Sequence, residues 1–202
     1  MRALVIDLGI GNSVAVRNWL VRNNVRVEII ADTQSYSDWS ENLLVIPGAC
    51  NSGTLAMYLK ESGFASSIKN HVEKGGRVLG ICAGLHCLFE EIEEESTFGL
   101  GLLEGSVKKM TVSNNGWKNT KIKVNREIAQ LSKSRFKSIN GRMFFNHGYR
   151  VECSSEIVAG YVEHANEMLP NLVVKNGIIG IQGHPEKSQG FGGKIAQLIG
   201  IG

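Results

Sequence analysis

The sequence predicts an α/β fold: a mostly parallel open sheet with helices on both faces, plus an antiparallel extension. Short runs that are apolar on both faces, such as residues 3–8, are typical of buried parallel strands. A helical pattern follows that run, with Val16, Trp19 and Leu20 at positions i, i+3 and i+4. After Thr97 the runs alternate between apolar and polar residues, which favours antiparallel strands and hairpins.

Composition indicates a single globular domain over residues 1–202. The chain is 43% hydrophobic and 20% charged, which is enough apolar side chain for a substantial core. Its net charge of +3 is small and its basic residues are scattered, so we expect no nucleic acid partner. No apolar run approaches the length of a membrane span, so we expect no membrane association.

Cysteine usage indicates a reducing environment. The four cysteines (Cys50, Cys82, Cys87 and Cys153) form no Cys-x2-Cys pair and are too few for a disulfide framework. We therefore expect a cytoplasmic protein with no metal site and no cofactor.

The first half of the chain alternates predicted strands and helices. We expect strands over residues 3–8, 25–30, 42–46 and 77–79, and helices over residues 14–23 and 54–74. The second of these helical stretches reads as one or two helices, because Gly63 interrupts it. The polar segment 31–41 leaves room for a short helical turn.

The second half is predicted to be mostly strands. A helix is expected over residues 83–95, whose acidic tail forms a solvated face (Glu90, Glu91, Glu93, Glu94 and Glu95). Strands are expected over residues 107–110, 120–124, 142–151, 157–163, 172–175 and 178–182. Asn176-Gly177 predicts a hairpin turn, and a helix over residues 192–199 closes the chain.

A candidate nucleophile lies in the segment Gly80-Ile81-Cys82-Ala83-Gly84. A strand runs into this turn and a helix is predicted to follow, so the Cys82 side chain would project above the sheet edge. The N-terminus of that helix would also stabilise a thiolate. The segment alone fits a buried structural cysteine equally well.

A candidate base and its orienting group lie about a hundred residues further on, in His184-Pro185-Glu186. Two residues apart on an extended backbone, both side chains project from the same side. If the strand before them neighbours the strand before Cys82, the imidazole reaches the thiol. A lone histidine here would read as a surface-loop residue, but both motifs together predict a Cys-His-Glu triad.

Further segments complete a resemblance that spans essentially the whole chain. They are Asp7-Leu8-Gly9-Ile10-Gly11-Asn12, Pro47-Gly48, Gly99-Leu100-Gly101-Leu102-Leu103-Glu104-Gly105, Gly116-Trp117, His147-Gly148-Tyr149 and Gln182-Gly183-His184-Pro185-Glu186-Lys187-Ser188-Gln189. With these segments the sequence resembles the class I (triad-type) glutamine amidotransferases, most closely the glutaminase subunit of imidazole glycerol phosphate synthase. The resemblance implies a flavodoxin-like class I glutamine amidotransferase fold.

The resemblance also implies the reaction and the partner. Cys82 would attack the carboxamide of glutamine, and His184, oriented by Glu186, would pass the proton to ammonia. The ammonia would reach a (β/α)8-barrel cyclase subunit in a heterodimer. In histidine biosynthesis that cyclase converts a phosphoribulosyl-formimino ribonucleotide into imidazole glycerol phosphate and an aminoimidazole carboxamide ribotide.

Residue roles follow from the same resemblance. The residues expected to hold the oxyanion and glutamine are Gly48, Ala49, Ala83, His86, Gly148 and Tyr149. The residues expected to face the cyclase are Asn12, Trp117 and Lys187.

Several positions near the expected substrate or partner surfaces depart from the family pattern, namely Leu8, Cys50, His86, Gly148, Gly183 and the segment Ser113-Asn114-Asn115. His86 stands where the family usually has glutamine, and Cys50 stands where its oxyanion loop has a second glycine. These departures leave two alternatives to the histidine pathway. One is a paralogous subunit that supplies ammonia for amidination of a surface-polysaccharide sugar, and the other is a catalytically silent regulatory subunit.

Overall fold

The computed structural model describes residues 1–34, 42–132 and 136–201. Their strands join in one sheet of order β2-β1-β3-β4-β11-β10-β9-β7-β5-β6, with β8 paired to β7. The strands are β1 (Arg2–Ile6), β2 (Arg26–Ile30), β3 (Asn42–Ile46), β4 (Arg77–Ile81), β5 (Phe89–Ile92), β6 (Thr97–Phe98), β7 (Leu103–Lys123), β8 (Ser138–Glu152), β9 (Val158–His164), β10 (Glu167–Lys175) and β11 (Ile178–Ile181).

Six α-helices lie in the same described ranges. They are α1 (Ser13–Arg22), α2 (Ser52–Glu61), α3 (Phe64–Glu73), α4 (Ala83–His86), α5 (Arg126–Leu131) and α6 (Gln189–Leu198). None of these six is both long and apolar enough to span a bilayer.

Helices cover both faces of the parallel half of the sheet, as predicted. β1, β2, β3, β4 and β11 pair in parallel. Consecutive residues of β4 point to opposite faces, so Leu79 packs in one core cluster with Trp19 of α1 and with α6. Val78 packs in the other cluster with Phe64 of α3 and with α2.

The antiparallel extension is also confirmed. β10 turns through Asn176 and Gly177, both at positive φ, into its antiparallel neighbour β11. On the other side of β10, the pairs β10–β9, β9–β7 and β7–β8 are antiparallel as well. The two strands expected over residues 107–110 and 120–124 are parts of the single strand β7. The helical break expected near Gly63 separates α2 from α3. Residues 35–41 of the expected turn over 31–41 lie outside the described residues.

The prediction of a helix over residues 83–95 is wrong. α4 ends at His86, and the chain continues as β5, which pairs with β7 and β6. Helix propensity is a weak preference that tertiary contacts override. Here the contacts are strand pairing and the burial of Phe89 and Ile92 against the core.

The acidic run is therefore not simply a solvated helix face. Three of its carboxylates accept hydrogen bonds from backbone N–H groups: Glu90 from Gly105, Glu93 from Lys109 and Glu94 from Ser52. These bonds connect the acidic run to β7 and to the start of α2.

A buried amide holds the end of β11 in place. Asn171 is fully buried at a bulge of β10; its side chain donates to Thr120 Oγ1 (2.9 Å) and accepts from the Gly183 N–H (3.1 Å). The Asn171 carbonyl accepts from the Gln182 N–H (2.8 Å). The backbone that leads into His184 is thus clamped from two sides.

We predict that Asn171→Ala lowers the free energy of unfolding by about 2–3 kcal/mol, because it leaves the buried Gly183 N–H without an acceptor. Urea denaturation would measure the loss. Asn119→Ala, an exposed position on β7, is the matched control and should stay within about 0.5 kcal/mol of the wild type. Equal unfolding midpoints for both variants would contradict the role of Asn171 in holding the end of β11.

Candidate active site

The strand ends of the parallel sheet bring the predicted site residues together. β4 and β11 are neighbours in register, Ile81 beside Ile181, so the segments after them leave the same edge of the sheet. β3 pairs with β4 on the other side and ends before Pro47-Gly48. Open α/β sheets bind ligands at this edge.

Cys82 occupies a strained corner between β4 and α4. Its backbone angles are φ +52° and ψ −109°, a conformation that costs a non-glycine residue about 1–3 kcal/mol. Its N–H donates to the Ile181 carbonyl at 2.7 Å, which ties the corner to β11. Because α4 is only one turn long, its dipole is smaller than that of the predicted helix.

His184 reaches Cys82 as the triad hypothesis requires. The His184 N–H donates to the Phe144 carbonyl at 2.8 Å, and the ring Nδ1–H donates to Glu186 Oε1 at 2.7 Å. The ring also forms a hydrogen bond with the Cys82 side chain. Because Nδ1 is bonded to Glu186, Nε2 is the ring nitrogen available for this bond. Both the His184 and the Glu186 side chains are buried.

The charge on His184 suits a proton carrier. Burial of the ring by itself lowers the pKa, but hydrogen bonds to Cys82 and Glu186 and the charges of those groups raise the pKa of His184 to about 9. At neutral pH the ring is therefore an imidazolium. It can stabilise a thiolate on Cys82 and donate its proton to a leaving amine.

The predicted oxyanion residues lie against the nucleophile. A Cβ added to Gly48 would lie 2.8 Å from Cys82 Cβ and 2.9 Å from the Ala83 N, so only glycine fits there. Ala49 follows at φ +64°. Across residues 1–34, 42–132 and 136–201, the N–H groups of Ala49 and Ala83 donate no hydrogen bond to the protein. Two N–H donors are thus free beside the thiol.

Asn12 lies closer to the triad than the sequence indicated. Its side-chain Nδ2 donates to Glu186 Oε1 at 2.6 Å, and its backbone N–H donates to the Gly48 carbonyl at 3.1 Å. Sequence reasoning missed this contact because Asn12 and Glu186 are 174 positions apart.

His86 points into the protein interior. Its ring is 3% exposed and its Nε2–H donates to Gln182 Oε1 at 3.0 Å. Burial lowers the pKa of His86, so the ring is neutral. Within the described residues its Nδ1 is buried and has no hydrogen-bond partner. Its role as a glutamine contact stays a prediction.

His147 is another buried histidine and lies close to both His86 and His184. Its Nδ1–H donates to the Tyr149 carbonyl (2.7 Å), so its Nε2 accepts from Asn114 Nδ2 (3.1 Å). Burial lowers the pKa of His147 to about 4. This neutral histidine holds the β8 backbone around Gly148 and Tyr149, two of the predicted glutamine-binding residues, whose roles stay predictions.

Glu94 is a residue that the sequence interpretation assigned to a solvated face. Its Oε2 accepts from both the N–H and the hydroxyl of Ser52 at the start of α2 (2.7 and 2.5 Å). Burial, Cys82 and Glu94 together raise the pKa of Cys50 to about 12. Burial, followed by the charges of Glu94, Glu93 and Glu95, also raises the pKa of Tyr149. A carboxylate therefore lies beside the oxyanion loop and Tyr149.

Aromatic and cationic side chains connect His184 with the protein surface. The Phe144 ring lies 6.1 Å from the His184 ring and 5.8 Å, edge to face, from the Trp117 ring. Lys187 Nζ lies 5.1 Å from the centre of the Phe144 ring. Trp117 is 43% exposed, a large apolar surface for a residue so near the triad.

This triad on an open parallel sheet is what a thiol-dependent amidotransferase needs, and comparisons agree. Residues 18–164 match the family model of the CobB/CobQ-like glutamine amidotransferase domain. The chain therefore belongs to the glutamine amidotransferases.

Closer relatives define the family within that class. The chain is 32% identical to the imidazole glycerol phosphate synthase subunit HisH of Thermotoga maritima, with 98% of this chain and 96% of that protein covered. The Lactococcus lactis subunit of the same name is 30% identical, with 98% and 97% covered. The chain belongs to the family of imidazole glycerol phosphate synthase HisH subunits.

Solved structures confirm the fold. PurLQS from Thermotoga maritima superposes with a TM-score of 0.75 at 18% identity, covering 98% of this chain and 96% of that one. A crystal structure of a glutamine amidotransferase superposes with a TM-score of 0.73 at 19% identity, covering 98% and 100%. The predicted class I glutamine amidotransferase fold is confirmed.

We predict that an NMR titration finds the midpoint of His184 near pH 9 and that of His147 near pH 4. In Glu186→Gln the His184 midpoint should move to lower pH, because the imidazolium loses a negative neighbour. His147 is the internal control and should not move appreciably. A His184 midpoint that is unchanged by Glu186→Gln would contradict the triad.

Proposed function

We propose that this chain hydrolyses glutamine to glutamate and ammonia as the glutaminase subunit of an imidazole glycerol phosphate synthase in histidine biosynthesis. The observation that carries the proposal is the Cys82–His184–Glu186 triad beside two free backbone N–H groups, in a chain of this family. We propose a single glutamine amidotransferase domain over residues 1–202, working in the cytoplasm. The four free cysteines suit that compartment.

The first half of the reaction transfers the acyl group to the enzyme. The Cys82 thiolate attacks the γ-carbonyl carbon of glutamine, and the carbonyl electrons move onto oxygen. The N–H groups of Ala49 and Ala83 are the donors for this oxyanion. When the tetrahedral intermediate collapses, the C–N bond breaks, and His184 donates its proton to the nitrogen, so ammonia leaves and a thioester remains.

The second half regenerates the thiolate. Neutral His184 takes a proton from a water molecule, which attacks the thioester carbonyl. The second tetrahedral intermediate expels the Cys82 thiolate and releases glutamate. Glu186 orients and stabilises the imidazolium throughout.

We assign the substrate side of the site to the residues around Tyr149. The backbone at Gly148 and Tyr149, held by His147, offers hydrogen bonds to glutamine, and the buried His86 ring lies behind this side of the site. Glu94 provides a negative charge on the same side, which suits the α-ammonium group of an amino acid.

We assign the cyclase-facing side to Asn12, Trp117 and Lys187. Exposed tryptophan is enriched at protein interfaces, and both Trp117 and Lys187 pack against the Phe144 ring, which lies beside His184. A (β/α)8-barrel cyclase bound at this surface would receive ammonia without its passage through water, where ammonia would be protonated.

No specific observation favours either the amidinating paralogue or the silent regulatory subunit. A silent regulatory subunit would not need a buried triad with a raised histidine pKa. For the amidinating paralogue, the departures at His86 and Cys50 both lie on the glutamine side, so they bear on the donor and not on the acceptor of ammonia.

We predict that Cys82→Ala lowers glutamate release by the complex with the cyclase at least about a thousandfold. Added ammonium salt should still support the synthesis of imidazole glycerol phosphate, because the variant lacks only the nucleophile. Cys153→Ala, which changes a half-buried cysteine elsewhere, is the control and should keep wild-type activity. Glutamine turnover that survives in Cys82→Ala would show that Cys82 is not the nucleophile. No turnover in the wild-type complex would rule out the function.

We predict that Trp117→Ala and Lys187→Glu each weaken binding of the cyclase subunit about tenfold or more, because tryptophan is enriched among interface hot spots and a glutamate reverses the charge at position 187. Isothermal titration calorimetry with the two purified subunits measures the affinity. Lys69→Glu makes the same charge change on an exposed position of α3 and should bind normally. If all three variants bind as the wild type does, this surface is not the interface.

A further inference from the structure

The triad glutamate has a further neighbour that the reaction steps do not include. Glu186 Oε1 accepts two hydrogen bonds, from His184 Nδ1–H at 2.7 Å and from Asn12 Nδ2–H at 2.6 Å. Its other oxygen, Oε2, is buried and has no partner among the described residues. The orientation of the carboxylate therefore depends on Oε1 alone.

We propose that Asn12 is a positioning residue that fixes the Glu186 carboxylate for His184, and this role rests on the proposed glutaminase function. The terminal torsion of a glutamate is soft and broadly populated. With Oε2 unpartnered, the amide of Asn12 selects the rotation in which Oε1 faces the imidazole. The hydrogen bond is short and reaches an ionised group, so it is of the strong kind.

The same residue also holds the oxyanion loop. The Asn12 backbone N–H donates to the Gly48 carbonyl at 3.1 Å, and Gly48 contacts Cys82. The Asn12 segment is itself braced, because Asp7 accepts hydrogen bonds from the Gly9 N–H and the Ser13 hydroxyl. Asn12 therefore joins Glu186 and the oxyanion loop into one rigid unit after β1.

Two variants isolate the side chain, since both keep the backbone N–H to Gly48. Asn12→Ala removes the side-chain donor. Asn12→Asp keeps the shape of the side chain but places a carboxyl oxygen against Glu186 Oε1. At pH 8 we expect kcat for glutamine hydrolysis by the complex to fall about 10- to 100-fold in both, with KM for glutamine changed less than about threefold. Asn18→Asp, an exposed position on α1, adds the same charge away from the triad and is the control.

The pH dependence separates positioning from a structural role. Two adjacent carboxylates share a proton at raised pH, so in Asn12→Asp the new carboxyl group, once protonated, would again donate to Glu186. The kcat of Asn12→Asp relative to wild type should therefore rise as pH falls from about 8 to about 6, whereas that of Asn12→Ala should not. Wild-type kcat in both variants, or equal pH-independent losses with lowered melting temperatures, would overturn the proposal.

A second measurement does not depend on glutamine. Alkylation of Cys82 by iodoacetamide in the chain alone, followed by mass spectrometry of the Cys82 peptide, reports the thiolate held by His184. We expect the pH of half-maximal alkylation to shift in both Asn12 variants and not in Asn18→Asp. An unshifted profile would overturn the positioning role. If the wild-type complex releases no glutamate but the shift is present, the proposed function fails while the positioning role stands.

Discussion

Parallel pairing of β4 with β11 is the constraint on which the site depends. The two strands are nearly a hundred residues apart in sequence, yet Ile81 and Ile181 lie side by side. Their carboxyl ends deliver Cys82 and His184 to one edge, and the Cys82 N–H is bonded across the pair to Ile181. A shift of one residue in this register would turn the side chains to opposite faces. The buried amide of Asn171 holds the end of β11 at this register.

Beside these two strands, hydrogen bonds and opposite charges offset the free-energy cost of burying charged side chains. An imidazolium and a carboxylate are costly to bury unless both are paired and hydrogen-bonded. His184 donates to Glu186, Glu186 accepts also from Asn12, and Phe144 accepts from the His184 N–H. These contacts explain how a charged histidine persists where desolvation alone would neutralise it.

Two further buried histidines near the site, His86 and His147, show the opposite balance between desolvation and stabilising contacts. His86 and His147 bond to a neutral amide and to a backbone carbonyl, so desolvation dominates and both are neutral. A neutral ring offers one donor and one acceptor, which suits hydrogen bonds to neutral partners. The same imidazole group is thus charged beside Glu186 and neutral beside Gln182 and Asn114.

The sequence by itself determined the fold class, the nucleophile corner and the His-Pro-Glu segment, because each depends on local spacing and residue chemistry. The parallel strands, the break at Gly63 and the hairpin at Asn176-Gly177 are local in the same sense. Only the tertiary structure decided that the acidic segment after His86 is a strand, since pairing with β7 overrides its helix propensity. It also decided that Asn12 bonds Glu186 and that His86 bonds Gln182. Those partners are 174 and 96 positions apart, and no periodicity in a sequence reports contacts at such separations.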